Sequence, residues 1–134
     1  MFREDTDFLF SNGTNLEKNW KSAETIIRNL NTIAARGGNY LLNVGPDPTG
    51  VVPAPALDCL RKVGEWMRVN GEAIYATQRS EIFPPWGECI RKDEKKNSVY
   101  YLSVFQWPED GKLRHEIYSE GSNAAGRRYE TEIY

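Results

Sequence analysis

The sequence has few of the residues from which metal and redox sites are built. Its 134 residues include two cysteines, Cys59 and Cys89, and one histidine, His115. This spacing matches no known metal-ligand pattern, so we expect no metal ion. Cys59 falls among apolar neighbours on a helical pattern, which predicts a buried thiol.

An excess of charge of one sign is also lacking. Lysine and arginine number 17 against 19 aspartates and glutamates, giving a net charge of -2. That balance offers no attraction for a polyanion, so we expect no nucleic-acid partner. No apolar run reaches the roughly 18 residues of a membrane-spanning helix, and the opening MFREDTDFLF is too acidic for a secretory signal. We therefore expect no membrane partner, and the compartment and oligomeric state stay open.

The residues that are present have the composition of a globular protein, with 40% hydrophobic and 27% charged. Residues 1–20 carry aromatics without a regular period, which predicts an irregular loop covering a hydrophobic surface. Ser22 is a suitable cap for a helix whose apolar stripe includes Ile26, Leu30 and Ile33. Gly37 supplies the left-handed stop.

A buried strand and a second helix follow. The segment NYLLNV, residues 39–44, is apolar on both alternating faces, as in parallel strands covered on two sides. After a loop in which Gly50 is predicted to take a positive φ, a helix is predicted over about Pro55 to Val69. Its stop is Asn70-Gly71. The inner face of this helix is predicted to carry Leu60, Val63, Gly64 and Met67.

The pattern changes beyond Thr77. SVYYLSVFQWPEDGKLRHEIYS is typical of two strands joined at PEDG as a hairpin. The predicted fold class is therefore α/β followed by antiparallel β, with a boundary near residues 78–86. This divides the chain into 1–77 and 78–134.

Asn43 is the polar residue on the buried strand. Ligands of parallel sheets and barrels collect at the carboxyl ends of the strands, close to this position. Bonding to neighbouring backbone groups is the favoured interpretation of Asn43, and contact with a ligand is the alternative. Gly45 and Pro46 fix the geometry of the strand exit.

The run GGNYLLNVGPDPTGVVP, followed by LRKVGEWMRVNGEAIYAT, resembles the end of the catalytic barrel in the α-L-fucosidase family of glycoside hydrolases. The resemblance covers roughly Trp20 to Thr77, and YYLSVFQWPEDGKL resembles the opening of that family's C-terminal β domain. The positions that carry the motif are Gly37, Gly38, Asn39, Leu41, Leu42, Asn43, Gly45, Pro46, Gly50, Trp66, Asn70, Gly71, Glu72, Ile74 and Tyr75.

The resemblance implies a fold and an activity. The fold is the last βα elements of a TIM-like (β/α)8 barrel plus part of a C-terminal β-sandwich domain, with Asn43 directed into the barrel interior or its neighbours. The activity is hydrolysis of terminal α-L-fucose from glycans with retention, without metal or organic cofactor. It requires a carboxylate nucleophile and a separate acid/base residue. The family's nucleophile and acid/base residue have no matching positions here, so we name no catalytic residue and interpret the chain as an inactive internal fragment. Family members resemble secreted, periplasmic or lysosomal enzymes.

Two local carboxylates, Asp47 and Glu72, are the candidates to substitute for the missing pair. Asp47 suits a turn, and Glu72 is expected to tie the NGEAIY turn to nearby backbone, so neither is assigned to catalysis. A second hypothesis is a non-catalytic module that binds carbohydrate or protein. Its binding surface is formed by Trp86, Trp107, Tyr100 and Tyr101.

Overall fold

The computed structural model describes residues 5–8, 21–46, 48–95, 97–117 and 127–131, the strands at 5–8, 114–117 and 127–131 by their backbone alone. Strand β1 spans Asp5–Phe8. Helix α1 (Ala23–Ala35), strand β2 (Tyr40–Asn43) and helix α2 (Ala54–Asn70) follow, and one 3₁₀ turn over Gly71–Ala73 extends α2. The remaining strands are β3 (Gly87–Asp93), β4 (Ser98–Val104), β5 (Leu113–Ile117) and β6 (Arg127–Thr131).

Strands β1 and β2 are parallel neighbours, with Asp5 opposite Tyr40 and Phe8 opposite Asn43. Because α1 lies between them in sequence, the three elements form a β-α-β unit, which α2 then continues. The prediction that residues 1–20 are an irregular loop is therefore wrong for 5–8. Acidic residues disfavour strands, and β1 pairs with a partner about 35 positions away. No local sequence pattern therefore predicts this strand.

Helix α1 begins and ends where the sequence predicts. The Ser22 hydroxyl accepts a hydrogen bond from the Thr25 amide at 3.1 Å, which satisfies a donor in the first turn. At the other end Gly37 has φ 74° and its amide bonds to Ala34 O at 3.0 Å. The buried face of α1, however, is Ile26, Asn31 and Ala35.

A hydrophobic cluster joins both helices to β2. Its centre is Ile26, Ala56 and the predicted buried Cys59. Packed around that centre are Ala23, Tyr40, Leu42, Val44, Val52 and Val63. The buried face of α2 thus follows positions 56, 59 and 63, and the predicted inner position Gly64 is instead exposed.

Burial of β2 on both faces is not observed. Tyr40, Leu42 and Val44 contact the helical cluster, whereas Leu41 is 54% exposed. The two helices cover only one side of the parallel pair. Strand β2 is therefore covered on one side, whereas its apolar composition predicts burial on both sides.

The predicted hairpin at PEDG is wrong, although both of its strands exist. Strand β4 pairs antiparallel with β3, with Gly87 opposite Val104 and Asp93 opposite Ser98. Strand β5 pairs antiparallel with β6. The partner β3 lacks a period of two because Glu88, Cys89 and Ile90 are buried in succession, so its sequence, GECIRKD, does not look like a strand.

We predict that Gly87→Ala destabilises the protein by about 2–4 kcal/mol, because the strand backbones must separate. A Cβ at this position would lie 1.9 Å from Ser103 O. Urea unfolding of the purified chain measures the effect.

Gly64→Ala is the matched control. A Cβ at Gly64 meets nothing within 4 Å, and alanine in an exposed helix interior should stabilise by about 0.5–1 kcal/mol. Equal effects of the two substitutions would contradict the close approach of β3 and β4.

Candidate functional site

The carboxyl end of β2 is the first candidate site. Side chains alternate along a strand, and Tyr40, Leu42 and Val44 contact the helical cluster. Leu41 and Asn43 therefore face the opposite side of the parallel pair. That Asn43 is directed into a barrel interior stays a prediction.

The loop after β2 forms the edge of that site. Gly45 is partly buried, Pro46 is exposed, and Gly50 has φ 85°, as predicted. A positive φ of this size favours glycine over any residue with a Cβ. Asp47, the carboxylate weighed for this loop, lies outside the described residues.

The glycine pair of the motif lies at the other end of β2. Gly38 bonds through its amide to Ile33 O at 2.9 Å, closing the last turn of α1 together with Gly37. A Cβ at Gly37 would lie 3.1 Å from the Arg79 Cβ. The pair therefore ends the helix where the segment around Arg79 passes close by, and it is remote from the Asn43 edge.

The NGEAIY turn connects the helices to the β3–β4 sheet. Asn70 donates through Nδ2 to Trp66 O at 3.0 Å, which holds the last turn of α2. The Glu72 carboxylate accepts the Tyr101 hydroxyl at 2.6 Å, and Lys92 Nζ lies 3.4 Å from Glu72 O. The predicted bond from the Glu72 side chain to nearby backbone is thus replaced by a contact with a tyrosine 29 positions away. Tyr75 is 65% exposed.

A second carboxylate cluster, which no sequence pattern indicated, lies beside β3. Glu81 accepts the Tyr100 hydroxyl at 2.7 Å and Arg91 Nη1 at 3.2 Å. The hydrogen bond from Tyr100 is the largest cause of a lowered pKa of Glu81; a backbone hydrogen bond and Arg91 lower this pKa further, against the opposing effect of desolvation. A general acid needs a raised pKa, so Glu81 is unsuited to that role. Arg91 Nε also lies 3.1 Å from Asp93 Oδ1.

The motif positions thus fall into three places instead of one pocket. Asn43, Gly45, Pro46 and Gly50 lie at the β2 exit, and the glycine pair lies at the end of α1. The third place is the 70–75 turn, where Glu72 bonds to β3 and β4. Asn39 is exposed just before β2, Leu42 packs against the helical cluster, and Ile74 O accepts the Thr77 hydroxyl at 2.7 Å. Within the described ranges, no group of three or more His, Cys, Asp or Glu side chains is placed to hold a metal ion.

The aromatic side chains of the alternative binding module do not form one surface. Trp86 is 5% exposed, whereas Trp107 is 57% exposed. Tyr100 and Tyr101 are consecutive on β4, so they face opposite sides and bond to different glutamates. The His115 side chain lies outside the described side chains.

No helix in the parts of the chain that the structure describes combines the length and apolar character needed to cross a bilayer.

We predict that the Tyr101 hydroxyl titrates anomalously. The bond to Glu72 raises its pKa to about 12. Since the folded pKa is above the ordinary value of about 10, the stabilisation is complete below pH 10 and is lost as the pH rises through 12. Ultraviolet difference titration should show a component near pH 12 that Tyr101→Phe removes.

Glu72→Gln tests the cause of that shift. Without the carboxylate the Tyr101 component should move down toward pH 10. A component that stays near 12 in Glu72→Gln would contradict the assignment. Asp58→Asn is a matched control, because Asp58 is paired with Arg61 on the exposed side of α2, and it should leave the titration unchanged.

Comparison with known proteins identifies the family of this chain. The family model described as alpha-L-fucosidase matches residues 4–72, just over half of the 134 residues. Among curated proteins, tissue alpha-L-fucosidase of Bos taurus is 41% identical over 97 residues, covering 66% of this chain and 19% of that protein. The Rattus norvegicus protein of the same name is 38% identical over 86 residues, covering 64% and 19%.

Solved structures agree with these matches. Alpha-L-fucosidase isoenzyme 1 from Paenibacillus thiaminolyticus has a TM-score of 0.65 and 33% identity, over 72% of this chain and 22% of that one. The Thermotoga maritima alpha-fucosidase has a TM-score of 0.65 and 28% identity, over 87% and 28%. The chain thus spans about a fifth of the length of the curated relatives named above, and it belongs to the α-L-fucosidase family.

Proposed function

We propose that this chain supplies the last βα elements of the catalytic barrel of an α-L-fucosidase and the first strands of its β domain. The observation that supports the proposal is the β1–α1–β2–α2 succession with its parallel strand pair, within the segment that matches the family. Strand, helix, parallel strand and helix are the repeating unit of a (β/α)8 barrel. Both helices pack on one side of the strands, as the outer layer of a barrel does.

The other side of the strands is then the barrel interior. Leu41 and Asn43 face it, and Asn43 is the last residue of β2, at the end where barrel enzymes place their active sites. The exposed fraction of Leu41, 54%, is the surface that the neighbouring interior layer would cover. In this proposal Asn43, Gly45 and Pro46 border the sugar-binding cavity without taking part in bond cleavage.

The complete enzyme would hydrolyse terminal α-L-fucose from glycans with retention. That reaction needs two carboxyl groups about 5 Å apart, one as nucleophile and one as acid and base. Glu72 and Glu81 do not fit either role, because a tyrosine hydroxyl engages the first, and a tyrosine and an arginine engage the second. The catalytic pair is therefore assigned to parts of the family fold that have no counterpart in this chain.

The proposal extends to partner and compartment. A fucosylated glycan is the substrate of the whole enzyme, without metal or organic cofactor. Relatives named for tissue and plasma support a lysosomal or secreted compartment. Residues 1–77 would belong to the barrel and 78–134 to the β domain.

We expect the purified chain to show no hydrolysis of an aryl α-L-fucoside, with far-UV circular dichroism of the same sample reporting helix and strand. The reason is the missing carboxyl pair. Turnover that copurifies with the chain and disappears in Glu72→Gln would contradict the proposal.

A chimeric enzyme tests whether this segment can serve in a complete α-L-fucosidase. Residues 37–75 replace the matching segment of the Paenibacillus thiaminolyticus enzyme, which is itself the control. The chimera should fold and retain α-L-fucosidase activity. In the chimera, Asn43→Leu should lower kcat/KM by about tenfold, equivalent to about 1.4 kcal/mol. A folded but inactive chimera would contradict the assignment of this segment.

A further inference from the structure

A groove of about 480 Å³ runs between α1, the last turn of α2 and β4, away from the Asn43 edge. Its volume lies within the roughly 300–1,000 Å³ typical of small-molecule sites. The side chains that matter to the argument are Ile27, Arg28, Trp66, Asn70, Ser103 and Phe105. We call this feature the α1–β4 groove.

The floor of the α1–β4 groove is a fixed polar pair. Asn31 is 1% exposed, its Nδ2 donates to Ile27 O at 2.8 Å and its Oδ1 accepts the Ser103 hydroxyl at 2.6 Å. Both partners are held by backbone elements, a helix and a strand. A floor of this kind keeps its shape without a ligand, which reduces the ordering cost of binding.

The walls combine apolar and aromatic surface. Ile27, Leu102 and Val104 contribute aliphatic surface. The Arg28 guanidinium lies over the Phe105 ring, 5.1 Å from the ring centroid, in a cation–π contact. Trp66, partly exposed, is therefore the aromatic side chain left to contact a ligand in the groove.

The polar groups at the mouth carry no excess charge. Arg28 Nη2 pairs with Glu24 Oε1 at 3.0 Å, so the two charges offset each other. Asn70 donates through Nδ2 to Trp66 O, and its amide oxygen is a neutral acceptor. Neutral polar groups beside an apolar aromatic wall favour an uncharged ligand with both hydroxyl groups and a C–H face.

We propose that the α1–β4 groove binds a saccharide unit, with its C–H face on Trp66 and its hydroxyls bonded to Asn70 and to the Arg28–Glu24 pair. The ligand class rests on the proposed function, in which the protein acts on fucosylated glycans. The groove is separate from the catalytic cavity, because Trp66 and Asn70 lie at the end of α2 and the β2 exit loop precedes its beginning. A second saccharide site there would hold a glycan by a unit other than the one being hydrolysed.

The test is a titration of the ¹⁵N-labelled full chain with L-fucose and with 2′-fucosyllactose, followed by the Trp66 indole N–H resonance. That resonance is assigned by its absence in Trp66→Phe. We expect saturable shifts with a Kd in the millimolar range, equivalent to about -4 kcal/mol. Trp66→Ala should weaken binding of the better ligand at least tenfold, measured on the other groove resonances.

Trp107→Ala is the matched control, because Trp107 is exposed but does not line the groove. It should leave the Kd unchanged. Should Trp66→Ala alter the far-UV circular dichroism, Asn70→Ala gives the second reading, with an expected weakening of at least threefold.

Three results would overturn the proposal. The first is no saturable shift up to about 50 mM sugar, well above a millimolar Kd. The second is binding that neither Trp66→Ala nor Asn70→Ala weakens. The third is a Trp66 shift that follows protein concentration without sugar, which would show a second copy of the chain in the groove. Loss of sugar binding in a chain whose residues 37–75 support an active chimera would remove this inference and leave the proposed function standing.

Discussion

The hydrogen bond from the Ser103 hydroxyl to the Asn31 amide oxygen, 2.6 Å long, joins the helices to the β3–β4 sheet at a buried position of α1. Breaking it leaves the buried Asn31 amide oxygen without this partner, which costs more than the bond itself contributes when formed. Helix α1 is therefore held by contacts on two of its sides. Ile26 packs with Ala56 and Cys59 on one side, and Asn31 bonds to β4 on the other.

Further contacts follow from this two-sided packing. Ser80 N bonds to Ala35 O at 3.1 Å, and Arg36 lies 3.5 Å from the largely buried Glu88 on β3. On the neighbouring turn Glu72 accepts the Tyr101 hydroxyl. The orientation of sheet and helices that these contacts impose creates the α1–β4 groove, while the Leu41–Asn43 face of β2 stays open. One element, α1, therefore determines both candidate binding surfaces.

Local signals in the sequence predicted local structure well. Ser22 caps α1, Gly37 and Gly50 adopt positive φ, and α2 begins and ends within about one residue of its predicted bounds. Each of these depends on backbone chemistry within a few residues. The family resemblance, which also depends on closely spaced residues, is confirmed by the match to the family model.

Long-range pairing could not be predicted. The hairpin interpretation of β4 and β5 failed because β4 pairs with β3, whose consecutive buried residues conceal a strand period. Asn31 was missed because a polar residue on a helix normally marks the solvent face, and its partner is 72 positions away. The Glu72 side chain was predicted to bond to nearby backbone because no sequence pattern indicates its contact with Tyr101.

The most direct test of the account is a double-mutant cycle on Asn31 and Ser103, with the free energy of unfolding measured in urea for the wild type, Asn31→Ala, Ser103→Ala and the double variant. The loss of the Asn31 bond to Ile27 O occurs on both sides of the cycle and cancels. The account predicts a coupling free energy of about 1–2 kcal/mol between the two positions. Additive effects, with a coupling below about 0.3 kcal/mol, would contradict the claim that this bond joins the helices to the sheet.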